Sequence, residues 1–106
     1  MDAVTIYATW PDHDSAEQLA RDLVEQRLAA CVNLIPNVTS IYRWQGETQR
    51  ESEVLMLVKT SAQRAAAVRD AIIAAHPYEL PCVTAFRIDS ASANADFLNW
   101  LQEQTL

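Results

Sequence analysis

Residues 31–44 read CVNLIPNVTSIYRW, a long run of β-branched, aliphatic and aromatic residues broken only at Pro36-Asn37. At about 3.3 Å per residue such a strand would span roughly 45 Å, whereas common strands span about 17–20 Å. We therefore predict a strand whose distal part, with Ile41, Tyr42 and Trp44, extends beyond its own domain. Pro36 lacks an amide donor and Asn37 favours turns, so we also predict a bulge or bend there.

Residues 52–60, SEVLMLVKT, provide the returning strand after a turn at residues 45–47, QGE. The two segments together predict one long β-hairpin. The aromatic tip of this hairpin would be an unpaired strand edge with apolar side chains exposed to water, so we expect neighbouring chains to cover it. The alternative is a partly disordered hairpin in a monomer.

The remaining elements lie on either side of this hairpin. Residues 3–9 predict a buried strand, and the proline of His76-Pro77 predicts the end of the second helix. The expected elements are a strand at 3–9, a helix starting at Asp12, Asp14 or Ser15 and reaching Leu28, the hairpin, a helix capped by Ser61, a strand at 82–88, and a short C-terminal helix carrying Phe97, Trp100 and Leu101.

This element order predicts an α+β class, a ferredoxin-like βαββαβ sandwich with an extended hairpin and a C-terminal helix. Both long helices should pack on one face of a four-stranded antiparallel sheet. Val54, Met56 and Val58 alternate with Leu55 and Leu57, so the face without helices also carries apolar side chains. We expect another subunit to cover that face.

Composition limits the classes of function. A chain of 106 residues that is 50% apolar predicts a single domain over residues 1–106. Its formal charge of −6 opposes binding to nucleic acid. We predict no export signal and no membrane span, and two reduced cysteines, Cys31 and Cys82, in the cytoplasm.

The segment HPYELP at residues 76–81 is the candidate site, because two prolines stiffen a loop that presents an imidazole, a phenol and a carboxylate. The alternative is that the loop is purely structural. Cys82 follows it and is a candidate ligand for a soft metal such as Cu(I), with core packing as the alternative. Lys59 would either hold an anionic ligand or cap a strand edge. No catalytic set is apparent.

Six strings in order resemble the CutA divalent-ion tolerance family over nearly the whole chain: TWPD at 9–12, LAACVN at 28–33, SIYRWQGE at 40–47, EVLMLVKT at 53–60, HPYELP at 76–81 and FLNWL at 97–101. The resemblance implies a stable homotrimer, an architecture similar to PII-type signalling proteins, and copper binding that involves His76. Some copper-linked members carry a cysteine and a histidine where this chain has Ala8 and Ala75. Cys82, where many members carry glutamate, is the candidate substitute donor.

We therefore expect a trimeric, non-enzymatic divalent-cation tolerance protein, a PII-like module that binds a metal or small ligand at inter-subunit clefts. The expected ligand-binding residues are Tyr42, Trp44, Lys59, Tyr78 and Glu79, and the expected metal ligands are His76 and Cys82. No cofactor is required, although copper or another divalent cation is a candidate. The alternatives are a small hydrolase-type enzyme with His76 as base and Glu79 orienting it, and a structural assembly or anchoring protein.

Overall fold

The structure is a computed structural model that describes residues 2–106. Its strands form one antiparallel sheet in the order β2-β3-β1-β4, with α1 and α2 on one face, which confirms the ferredoxin-like prediction. The elements are β1 (Ala3–Trp10), α1 (His13–Glu25), β2 (Cys31–Trp44), β3 (Glu47–Ser61), α2 (Ala62–Ala75), β4 (Val83–Arg87), a 3₁₀ turn (Ser90–Ser92) and α3 (Ala95–Gln104).

The long hairpin is present, and its pairing runs from Cys31 opposite Lys59 to Trp44 opposite Glu47. The predicted bulge is confirmed by a register shift between Ile35 and Val38. There Asn37 adopts a left-handed φ of 63°. Gln45 and Gly46 have φ values of 51° and 82°, the left-handed pair that a two-residue hairpin turn requires. The molecule is correspondingly elongated, with a longest dimension of 45 Å.

The returning strand is longer than predicted, because β3 begins at Glu47 and not at Ser52. Residues 47–52, ETQRES, carry no apolar alternation that would predict a strand. They are extended because β2 pairs with them residue by residue as far as the turn. Tertiary pairing thus overrides a weak local preference.

The core lies between the sheet and the two long helices. Ile6, Trp10 and Met56 from β1 and β3 are at most 1% exposed. They pack with Leu23 of α1 and Ile72 of α2. Burial of each large apolar side chain contributes about 1.5–3 kcal/mol, so this layer fixes the position of β1 and of the segment that follows α2.

The first helix ends earlier than predicted. Asp12 caps its start by accepting a hydrogen bond from the Ser15 amide at 2.8 Å, and α1 stops at Glu25. Arg27 takes a left-handed φ of 61°, and the Leu28 amide donates to the Leu23 carbonyl. Leu28 therefore reaches the core from the loop after the helix, which explains why its spacing looked helical.

The last strand is also shorter than the predicted 82–88, since β4 covers Val83–Arg87. Cys82 lies in the preceding loop and is exposed. Among the described residues, no helix has the length and apolarity that a bilayer crossing needs.

The opposite face of the sheet is only partly covered. Helix α3 packs through Leu101 against Ala3 and Ala30 at one end of the sheet. Arg27 and Arg64 fix the end of this helix by donating to the carbonyls of Glu103 and Thr105 at 2.7 and 2.9 Å. Elsewhere on this face Thr9 and Glu53 are buried, whereas Phe86 is exposed.

Candidate functional site

A cavity of about 710 Å³ opens between the hairpin and the loop after α2. Tyr42 and Trp44 of β2 and Glu53 of β3 line it from one side. The loop lines it from the other, through Tyr78, Glu79 and Cys82, and Tyr7 of β1 also contributes. The sheet register explains this grouping, because Tyr42 and Trp44 lie opposite Gln49 and Glu47, which share the face of Glu53.

His76 holds the loop in place. Its backbone amide closes α2 on the Ile72 carbonyl at 3.0 Å. In the ring, Nε2 lies 2.7 Å from the Thr9 carbonyl and Nδ1 accepts the Tyr78 amide at 3.1 Å. Since a carbonyl only accepts, these contacts select the neutral tautomer with hydrogen on Nε2. The imidazole is 9% exposed and stacks on Trp10 with ring centroids 4.4 Å apart.

Tyr78 and Glu53 form the polar centre of the cavity wall. The Tyr78 hydroxyl donates to Glu53 Oε2 at 3.1 Å, and Glu53 is only 6% exposed. Burial, followed by the hydrogen bond to Glu53, raises the pKa of Tyr78 to about 12. Burial and then the Glu53 charge also raise the pKa of Cys82. The negative charge of Glu53 therefore acts on neighbours from both the hairpin and the loop.

The predicted site residues are only partly brought together. Tyr42, Trp44, Tyr78, Glu79 and Cys82 all line the cavity. Lys59 lies outside it, with Nζ 6.0 Å from the centroid of the Phe97 ring at the α3 end of the sheet.

His76 supports the cavity wall from behind and does not line it. Its ring bonds go to Thr9 and Tyr78, so Glu79 does not orient it in this arrangement. Within residues 2–106, no three His, Cys, Asp or Glu side chains are gathered to hold a metal ion. The ligand and metal roles of these residues stay predictions, as do the enzyme and anchoring alternatives.

Sequence reasoning missed Glu53 and Tyr7. Glu53 directly precedes the buried segment that begins at Val54, and its side chain lies on the same face of β3 as those of Leu55 and Leu57. An acidic residue in line with apolar side chains on one face of a strand is a usable signal, because carboxylates are seldom buried without a specific partner. The partner, Tyr78, is 25 residues away in sequence, and only the fold brings it near.

The β2-β3-β1-β4 antiparallel sheet, with two crossover helices on one face and an aromatic, acidic cavity at its hairpin, defines a ferredoxin-like α+β protein. The sequence model of the CutA1 divalent ion tolerance protein family matches residues 4–104, and the chain belongs to this family. The predicted resemblance is confirmed. The family is known for divalent-ion tolerance and not for a catalysed reaction.

Two curated relatives illustrate the similarity. The divalent-cation tolerance protein CutA of Thermus thermophilus is 44% identical over 100 residues, which are 94% of this chain and 95% of the relative. Human protein CutA is 42% identical over 99 residues, which are 93% of this chain but 54% of the human protein. The chain thus spans nearly all of the bacterial relative and about half of the human one.

Solved structures agree with the fold throughout. The periplasmic divalent cation tolerance protein CutA of Archaeoglobus fulgidus is 38% identical and superposes with a TM-score of 0.92, covering 98% of this chain and 99% of the other. The PII-like protein CutA of Nostoc is 34% identical with a TM-score of 0.89, covering 100% and 98%. The chain has a PII-like fold.

Proposed function

We propose that residues 1–106 form one CutA-like domain that assembles as a homotrimer and works as a non-enzymatic divalent-cation tolerance protein, a PII-like binding and signalling module in the cytoplasm. The uncovered apolar surface of the hairpin and sheet is the observation that carries this proposal. Ile41 at the hairpin tip is 70% exposed, and Phe86 on the open sheet face is 56% exposed. Apolar area left in water forfeits about 25 cal/mol per Å², so neighbouring copies of the chain would be stabilised by covering it.

The cavity supports the binding role. It sits where the hairpin leaves the body of the domain, and its aromatic walls come from that hairpin. A second copy packed on the hairpin would turn the open cavity into an inter-subunit cleft. Tyr42, Trp44, Tyr78 and Glu79 would contact the ligand there. Lys59 would act from the other end of the same sheet face.

Copper or another divalent cation is the candidate metal, with Cys82 and His76 as its donors. Cys82 is accessible at the cavity. For His76 to bind a metal, one ring nitrogen must leave its backbone partner, Thr9 or Tyr78. Metal binding would then loosen the loop that forms the cavity wall.

Sedimentation equilibrium at low micromolar concentration tests the assembly. The expected mass is three times the chain mass of 11.9 kDa. Phe86→Glu should lower it, because a charge would be buried in the interface. Ile73→Glu is the matched control, since Ile73 is 48% exposed on α2, away from the open sheet face. A folded wild-type monomer would refute the trimer.

Calorimetric titration with Cu(I), Cu(II) and Zn(II) tests the metal role. Copper should bind the wild type, and Cys82→Ser should weaken it by about tenfold or more, the typical effect of losing a ligand or its support. Cys31→Ser controls for general thiol effects. If neither an ion nor any small molecule raises the melting temperature of the pure protein, the binding role is refuted.

A further inference from the structure

Glu53 is a buried carboxylate with no counter-cation in the described part of the chain. It is 6% exposed, and the hydroxyl of Tyr78 bonds Oε2. The ion pairs within residues 2–106 join His13 and Arg21 to Glu17, Arg69 to Asp70, and Arg87 to Asp2, and none reaches Glu53. A buried charge without a partner is costly, so this position is suited to a cation from outside the chain.

The cavity that contains this carboxylate is rich in aromatic side chains. Tyr7, Tyr42, Trp44 and Tyr78 line the same cavity as Glu53. The faces of tyrosine and tryptophan rings attract cations, and they do so more strongly where water is excluded. Glu53 places a carboxylate at the cavity wall. Burial first, and then the carboxylates of Glu51 and Glu53, raise the pKa of Tyr42.

Among residues 2–106, Arg43 is the basic residue that lines the cavity, and its charge points toward the hairpin tip. Its Nη1 donates to the Gly46 carbonyl at 3.1 Å. Arg43 lies between Tyr42 and Trp44 on β2, so its side chain leaves from the opposite face of the strand. Arg43 therefore leaves the carboxylate of Glu53 free for a ligand.

We propose that the cavity binds a small organic ammonium ion, with its charged nitrogen against Glu53 and its alkyl groups against the tyrosine rings. This inference rests on the proposed function of the cavity as a ligand site and specifies the class of ligand. A volume of about 710 Å³ is in the range of small-molecule pockets. A carboxylate with aromatic walls is the chemistry that recognises alkylammonium groups.

Three probes of the same shape test the charge preference: choline, its neutral carbon isostere 3,3-dimethylbutan-1-ol, and the anion 3,3-dimethylbutanoate. Binding is measured by calorimetry and tryptophan fluorescence on the full chain at constant ionic strength. Choline should bind about tenfold more tightly than the neutral isostere, and the anion least well. Glu53→Gln keeps an acceptor for Tyr78 and should abolish the preference for choline. Glu25→Gln, an exposed position at the end of α1, makes the same change in net charge and should keep it.

Each other outcome overturns the proposal. If the three probes bind equally and Glu53→Gln changes nothing, the cavity remains a ligand site but does not select cations. If a basic side chain of a neighbouring copy occupies Glu53, choline will not bind and Glu53→Gln will weaken the oligomer. If no probe binds the folded protein, the ammonium class is wrong, and the metal and small-molecule titrations above decide the binding role separately.

Discussion

The replacement Tyr78→Phe removes a single hydroxyl and leaves the rest of the cavity wall in place. That hydroxyl donates to Glu53 Oε2 at 3.1 Å. The phenylalanine ring can keep its packing against the His76 imidazole, whose centroid lies 4.7 Å from that of Tyr78. The substitution therefore measures how much the hydrogen bond from this hydroxyl to a buried carboxylate contributes to the free energy of unfolding.

The expected loss follows from the burial of the two groups. A hydrogen bond to a charged group contributes about 1.5–3 kcal/mol net, and an unsatisfied buried acceptor adds its desolvation penalty. Glu53 is 6% exposed but Tyr78 is 38% exposed, so water from the open cavity replaces part of the lost bond. We expect Tyr78→Phe to lower the free energy of unfolding by about 1–2 kcal/mol.

Unfolding in guanidinium measures this loss, at one fixed protein concentration because the stability of the proposed oligomer would depend on concentration. The midpoint should fall with no change in the denaturant slope. Tyr42→Phe is the matched control: its hydroxyl has no hydrogen-bond partner in the described part of the chain, so the midpoint should stay the same. Tyr78→Phe with an unchanged midpoint would show that solvent, and not Tyr78, supports the Glu53 carboxylate.

Three further predictions concern titration and the last helix. The pKa of Tyr78 is about 12, against about 10 in an unfolded chain. The protonated hydroxyl of Tyr78 should therefore stabilise the fold fully below pH 10, and this stabilisation should be lost as the pH rises through 12. Ultraviolet titration of the phenolate, combined with unfolding measurements, checks this. The raised pKa of Cys82 predicts slow alkylation at pH 8, and Glu53→Gln should accelerate it, as followed by mass spectrometry of the Cys82 peptide. Arg64→Met removes a bond to the end of α3 and should speed amide exchange there, whereas Arg69→Met, exposed on α2, should not.

The hairpin could be predicted because its signals are local. Pro36-Asn37 specifies a bulge, and Gln45-Gly46 a tight turn, from the properties of those residues alone. The predicted end of α1 was wrong, because Leu28 has the spacing of a helical residue but reaches the core from a loop. The left-handed backbone of Arg27 turns the chain before it. The spacing of apolar residues indicates which of them face the core. It does not indicate whether such a residue lies in a helix or in the loop that follows.

The cavity was only half predictable for a similar reason. Tyr78, Glu79 and Cys82 are neighbours in sequence, so their grouping follows from one short loop. Glu53 joins them only through the pairing of β3 with β2 and through the position of the loop, which His76 sets by contacts with Thr9, 67 residues away. Chemistry that depends on long-range contacts is not visible as a motif.

The proposed assembly and the proposed ligand binding would be physically linked in this fold, because β2 would provide residues for both. Ile41 and Trp44 belong to the surface that a neighbouring copy would cover, and Trp44 also lines the cavity. A cavity ligand that orders Trp44 would therefore favour the hairpin conformation that the neighbour recognises. Since coupling free energies are reciprocal, a tighter trimer must then bind the ligand more strongly.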